Sequence, residues 1–414
     1  MGGGAAAARL LFSVVWFAVL LGTLLLVQVH SPCLPLPPSH RCQTFSAPSM
    51  RPFLFSLSSI STISAPFMVT FWRKRIRVKE QGGGGCIYHF LSKAAGLSAL
   101  PSDQDLALFQ RAASTSATTA THHQQRQQVL PPPVTPKIAF LFLTNSDLYL
   151  APLWERFFQG NQQLYNIYVH ADPSHHLNPP GGVFRGRFIL GKRTERSSPT
   201  LISAARRLLA AALIDDESNT FFALVSQHCI PLHSFRFIYN SLFSPPSSRS
   251  PSNRFMSFIE ILDDEPGLWA RYTARGEDVM MPEVTFSSFR VGSQFFILTR
   301  EHSLLVIKDR RLWRKFRLPC LRVQSCYPEE HYFPTLLNME DPSGCHPFTL
   351  THVNWTGSTG GHPHTYGVDE VRPSLIRRLR PSDATGFSNF FARKFSPDCL
   401  NPLLKLADSF IFQD

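Results

Sequence analysis

The chain reads as an α/β protein, a largely parallel sheet carried behind an N-terminal membrane anchor and a long stem. Three observations predict this. From Lys137 onward, short apolar runs suited to buried strands alternate with stretches of helical spacing. Ahead of them, Leu10 to Val29 runs for 20 residues without a charge, long enough to cross a bilayer. Between the two, residues 30–135 are rich in Pro, Ser, Gly and Gln and bury too little apolar surface to fold alone. The expected layout is therefore a tail at 1–9, an anchor at 10–29, a largely disordered stem at 30–135 and a folded domain at 136–414.

The anchor has a rival reading as a cleaved signal peptide. Its apolar region is long for that role, and no small-x-small cleavage site follows within Gln28 to Pro38. An uncleaved type II anchor with a luminal domain is the expectation. Within the stem, the patch Ala65 to Trp72 followed by Arg73-Lys74-Arg75 is either a membrane-surface contact or an ordinary stem feature. Eight cysteines suit an oxidising compartment, three before the domain and five within it. No Cys-x-x-Cys pair is present, so structural zinc is not expected.

In the folded part, Ile138 to Leu143 is a continuous apolar run, the pattern of a strand covered on both faces. Helices are predicted over Leu150–Gln159, Leu201–Leu213, Ser234–Leu242 and Arg300–Lys308, over Glu329–Leu337, and from Leu400 onward. Strands are predicted at Tyr165–His170, Thr220–Ser226, Phe255–Leu262, Ser293–Leu298, Thr351–Trp355 and Phe390–Phe395. Residues 244–254, with three prolines and five serines, form a surface insertion.

The net charge of +12 points to an anionic partner. No zinc-finger spacing, aromatic RNA-binding signature or helix-turn-helix accompanies it, so nucleic acid is not the expected one. No Gly-x-Ser-x-Gly, Walker or Gly-rich dinucleotide motif appears either. The stretch Cys326 to Leu337 places Pro328, Glu329 and Glu330 at the start of a helix whose later residues are apolar. A carboxylate at such an exposed mouth is suited to act as a general base, or simply to cap the helix. Ligands of open α/β sheets bind beyond the carboxyl ends of the strands, which makes Asp172, after the second strand, a candidate nucleotide contact. Before Pro173 it is equally suited to form a turn. The only Asp-x-Asp triplet, Asp103-Gln104-Asp105, falls in the stem, and Asp263-Asp264-Glu265 lacks the spacing. Without a metal, a leaving diphosphate needs fixed cations, and Arg393-Lys394 at the end of a strand is placed to supply them. Asn354-Trp355-Thr356 is the glycosylation sequon, with Asn354 as its acceptor. Gly360-Gly361-His362-Pro363-His364 reads as a loop.

Seven collinear stretches carry a family resemblance. They are Pro-Lys-Ile-Ala-Phe-Leu-Phe-Leu-Thr at 136–144, Ala-Pro-Leu-Trp-Glu-Arg-Phe-Phe at 151–158, Ile-Tyr-Val-His-Ala-Asp at 167–172 and Leu-Val-Ser-Gln-His-Cys-Ile-Pro-Leu at 224–232. Then follow Gly-Ser-Gln-Phe-Phe-Ile-Leu-Thr-Arg at 292–300, Tyr-Pro-Glu-Glu-His-Tyr-Phe-Pro-Thr at 327–335 and Phe-Ala-Arg-Lys-Phe-Ser-Pro at 391–397. Their order resembles the plant branch of the core-2/I-branching β-1,6-N-acetylglucosaminyltransferases, glycosyltransferase family 14. The resemblance implies a GT-A-like, Rossmann-type domain and inverting, metal-independent transfer of a GlcNAc-type sugar from a UDP-sugar to a glycan or glycoprotein in the Golgi. Glucuronosyl or xylosyl transfer, and a non-catalytic glycan-binding or scaffolding relative, are the alternatives.

By the same resemblance Glu330 is the catalytic base, Asp172 contacts the nucleotide, and Lys394 with Arg393 binds the diphosphate. Glu260 and Trp355 fall at the acceptor site, and Cys229 matches a free cysteine, leaving four domain cysteines for pairing. Two positions depart from the family. His364 stands where animal members carry a second phosphate-binding arginine. Arg193-Thr194-Glu195-Arg196 stands where a Trp-Gly often precedes the helix.

Overall fold

The computed structural model describes residues 105–115, 135–243, 255–358, 360–381 and 386–414. The predicted tail, anchor and surface insertion, and most of the stem, lie outside the described residues, among which no helix is long and apolar enough to cross a membrane.

The main sheet has six strands in the order β2-β1-β3-β6-β5-β7. β1 (Lys137–Thr144) pairs in parallel with β2 (Tyr165–Ala171) on one side and β3 (Asn219–Ser226) on the other. The short strand β6 (Ile297–Thr299) runs antiparallel to β3 and to β5 (Ser257–Phe258), which pairs in parallel with β7 (Cys345–His346). A smaller sheet joins β4 (Ile230–Pro231), β9 (Phe391–Arg393) and β8 (Thr351–Val353).

Both faces of the main sheet are covered, as the apolar run in β1 predicts. Side chains alternate across a strand, so Ile138, Phe140 and Phe142 enter one core and Ala139, Leu141 and Leu143 the other. The first core is aromatic. Helix α2 (Ala151–Phe158) sets Trp154, Phe157 and Phe158 edge-on around Phe140 and Phe142, and α4 (Phe235–Phe243) adds Phe235. The second core is mostly aliphatic. It is built by α3 (Pro199–Asp215), α6 (Arg300–Lys308), α7 (Arg311–Phe316) and α8 (Tyr332–Glu340). Helices α9 (Pro373–Leu379) and α10 (Leu400–Leu406) close the aromatic side. The remaining helix near the site is the short α5 (Leu268–Tyr272).

Four expectations are corrected. Residues 105–115, read as stem, form helix α1, which docks on the second core. Its Asp105 pairs with the buried Arg207 and with Lys192 at 2.6 Å, and its Phe109 covers Arg206 at 4.8 Å. Buried guanidinia need such partners, and the compositional argument for a disordered stem could not see them. The strands predicted over 255–262 and 293–298 shrink to Ser257–Phe258 and Ile297–Thr299. There residues 260–265 leave the ladder, and Leu262 bridges to Val291 instead of extending β5. The helix predicted over Glu329–Leu337 is two pieces, a 3-10 turn at Pro328–Glu330 and then α8, broken at His331 (φ −119°, ψ −35°). Of the four domain cysteines expected to pair, Cys320 and Cys326 form the disulfide, while Cys399 is a buried thiol beside the Tyr366 carbonyl.

Candidate active site

The site gathers at the carboxyl ends of β1, β2 and β3, where β9 and the Pro328–Glu330 turn also arrive. Gly292 anchors the turn from beneath, its N–H donating to the Glu330 carbonyl at 2.9 Å. A Cβ on Gly292 would lie 1.9 Å from the Glu260 carbonyl oxygen, so only glycine lets the two backbones approach this closely.

Glu330 and Glu329 are adjacent in sequence but sit in opposite environments. The Glu330 carboxylate is partly exposed and accepts a 2.9 Å hydrogen bond from Arg271 Nη1 at its Oε2, leaving Oε1 without a hydrogen-bond partner among the described residues. Arg271 comes from α5 and is itself oriented by His331. Burial holds His331 neutral, its proton affinity lowered to about 3. Its Nδ1 lies 2.8 Å from the Arg290 carbonyl, to which it donates, so Nε2 faces Arg271 Nη1 at 3.4 Å as an acceptor. Glu329, by contrast, is buried. Its Oε1 accepts from the Ser197 N–H at 3.1 Å, and its Oε2 has no hydrogen-bond partner among the described residues. Burial raises its carboxyl to about 7, with the charge of Glu330 adding to the effect.

Glu260, just past β5, lies close enough to feel Glu330. Burial raises its carboxyl, and Glu330 and Glu265 push the same way against a hydrogen bond from the Ser293 N–H. The structure thus brings Glu330 and Glu260 together.

Asp172 is fully buried at the end of β2. It accepts from the N–H and hydroxyl of Ser174 at 2.8 and 2.6 Å, and from the N–H and hydroxyl of Thr194 at 2.7 and 2.8 Å. Burial opposes ionisation, but these four bonds outweigh it and hold the carboxyl at about 2. Asp172 therefore ties the 173–175 turn to the 193–198 loop. Gly191 makes the same crossing possible, since a Cβ there would sit 2.0 Å from the Ala171 carbonyl oxygen.

Arg393 and Lys394 end β9. Arg393 is half-buried, its guanidinium over the Phe295 ring at 4.3 Å and near both Cys229 and Glu330. Lys394 is half-buried, and its proton affinity is lowered by burial and then by the nearby Arg393 and Arg196. His364 is held by Glu370, with Nε2 2.9 and 3.1 Å from the two carboxylate oxygens. That contact turns Nε2 toward a carboxylate of the protein itself. Trp355 is 53% exposed, two residues past Val353, which lies opposite Arg393 in the β8–β9 register. It leaves the small sheet at the same end as Lys394. Asn354 is half-buried, its Oδ1 accepting from the Thr356 N–H at 3.0 Å. Cys229 is a buried thiol beside Ser226, and burial raises its proton affinity.

Sequence reasoning missed Arg271 and Arg196. Arg196 contacts the Tyr327 ring at 5.5 Å and Arg271 contacts the same ring at 5.1 Å. Nothing in the local pattern marks Arg271. Arg196 was visible only as part of the departure from Trp-Gly.

A mixed α/β sheet of this order, with carboxylates and cations facing one another beyond the strand ends, fits a GT-A-like glycosyltransferase domain. The family model for Core-2/I-Branching enzyme matches residues 138–380, and the chain belongs to that family. It is 28% identical over 282 residues to Glycosyltransferase BC10 of Oryza sativa subsp. japonica, an alignment covering 60% of this chain and 66% of that protein. The chain thus spans just under two thirds of the length of this relative.

Proposed function

We propose that the protein is an inverting glycosyltransferase that moves a GlcNAc-type sugar from a UDP-sugar to a glycan or glycoprotein acceptor without a metal, anchored in the Golgi membrane with its domain in the lumen. The observation that carries the reading is Glu330. Its carboxylate is aimed by Arg271 through one oxygen, while the other stays open beside Glu260 and the Arg393–Lys394 cations. Inversion needs one base to take the proton of the acceptor hydroxyl as its oxygen attacks the anomeric carbon. Glu330 Oε1 takes that proton, and the bond from the anomeric carbon to the diphosphate breaks. UDP departs as an anion, and Lys394 with Arg393 offsets its charge, the work a cation performs in metal-dependent enzymes. Glu260 and the exposed indole of Trp355 are suited to the acceptor, one by hydrogen bonding and the other by stacking on a sugar face.

The test is turnover of a panel of UDP-sugars by the full-length protein with chelator present, beside Glu330→Gln. The expected result is transfer that survives chelator and falls about 10²–10⁴-fold in the variant with its fold retained. Turnover of UDP-glucuronic acid or UDP-xylose in place of UDP-GlcNAc would reassign the donor. UDP binding with no turnover of any donor would favour a glycan-binding relative, and loss of activity with chelator would overturn the metal-free mechanism.

A further inference from the structure

Three cationic side chains stand together on one side of the catalytic turn, near Glu329 and Glu330 but in contact with neither carboxylate. Arg196, Arg393 and Lys394 each lie near the other two, and none forms an ion pair among the described residues. Glu330, the nearest catalytic carboxylate, is already paired with Arg271. Gathering like charges is unfavourable unless an anion completes the arrangement, so the cluster itself marks where an anion sits.

Arg196 is the member of this cluster whose position has to be explained. It is exposed, yet it is fixed at both guanidinium ends. Nη2 donates to the Gly361 carbonyl at 2.6 Å, and Nη1 lies 2.7 Å from His362 Nε2. His362 accepts in that contact, since the charges of Arg196 and Lys394, together with some burial, disfavour its protonation. Arginine has five N–H donors in a rigid fork, so three remain for another ligand. The backbone is forced at this point as well, because Ser197 adopts φ +58°, which costs a residue with a Cβ. Two contacts hold it there. The Ser197 N–H donates to the buried Glu329, and Thr194, two residues before Arg196, is clamped by Asp172.

We infer that Arg196 is the second cation for the leaving diphosphate, in the role the family would assign to position 364, and that Glu329 is the positioning residue that presents it. The inference rests on the reading of the protein as a UDP-sugar enzyme. It makes the base and its neighbour a division of labour, Glu330 acting on the acceptor and Glu329 holding the loop that meets the donor.

Calorimetric binding of UDP, pyrophosphate and uridine to the full-length protein tests it. Arg196→Ala is expected to weaken UDP and pyrophosphate about tenfold to a hundredfold, the worth of charge-assisted hydrogen bonds, and to leave uridine unchanged. Arg196→Lys should recover part of the loss, and His364→Ala should change nothing. Glu329→Ala should copy Arg196→Ala, while Glu329→Gln, whose amide oxygen still accepts from Ser197, should restore binding. UDP affinity unchanged in Arg196→Ala but reduced in Lys394→Ala would overturn the inference alone. Equal loss of UDP and uridine would reduce Arg196 to a structural part and overturn it too. A wild-type protein that binds neither UDP nor pyrophosphate would overturn the UDP-sugar reading itself, and this inference with it.

Discussion

The half of the molecule built on β1, β2 and β3 and the half built on β5 to β9 are put together by different means. In the first, strands of seven and eight residues carry alternating apolar side chains into two cores, and α2 and α3 between them pack one on each face. In the second, strands of two or three residues are joined by loops whose shape comes from single contacts, such as Gly292 against Glu260 or His331 against Arg290. The first half supplies a rigid edge, and the second supplies most of the charged groups. A site of this kind needs both, because a regular strand cannot hold two carboxylates and three cations at one point, and a set of loops cannot do so without a packed sheet behind them.

The sharpest way to break the comparison is to damage each half at its centre. Phe140→Ala empties a position ringed by Trp154, Phe157, Phe158 and Phe235, and should cost about 3–5 kcal/mol in chemical denaturation. UDP binding by the protein that remains folded should be unaltered. A binding defect matching the stability loss would show that the two halves are not separable in this way.

The next effect is a pH dependence confined to the loop half. Glu329 titrates at about 7 in the fold against an ordinary value of 4.5. A raised carboxyl favours the folded state fully below pH 4.5, and the contribution fades as pH rises through 7. The wild type should therefore lose roughly 3 kcal/mol between pH 4.5 and 8 from this group. Glu329→Gln, which cannot ionise, should show that much less pH dependence, and identical profiles for the two proteins would refute the assignment.

Asp172 should behave in the opposite sense. Its carboxyl is held at about 2 against 3.8, so its contribution is complete above pH 4 and disappears as pH falls through 2. Asp172→Asn should cost roughly 2 kcal/mol at neutral pH and remove part of the acid sensitivity. A neutral effect would mean that the Ser174 and Thr194 donors find other partners.

The same division explains what could be read from the sequence. The β1 run, the helix at 300–308 and the Leu201–Leu213 periodicity were legible because local pattern decides them. The break at His331 was not, since it depends on a buried ring stacking on Phe289 and bonding to Arg290, 41 residues away in sequence. The place of Glu330 on a proline-led turn was legible from its motif. The pairing of His364 with Glu370 was not, because a histidine at a matching position reads as a cation until its partner is seen. Arg196 lay in one of the two places where the chain leaves its family's pattern, and such a departure says that something changed without saying what replaced it.

Helix α1 has a practical consequence. The folded unit starts by residue 105, not at 136, so any shortened or fused form cut inside that interval strips the acidic partner from Arg207 and bares the face of Arg206. A protein trimmed at residue 131 would be handicapped before its first assay, and its silence would be mistaken for lack of catalysis. Placing any junction ahead of Asp105 keeps the question about chemistry apart from the question about folding.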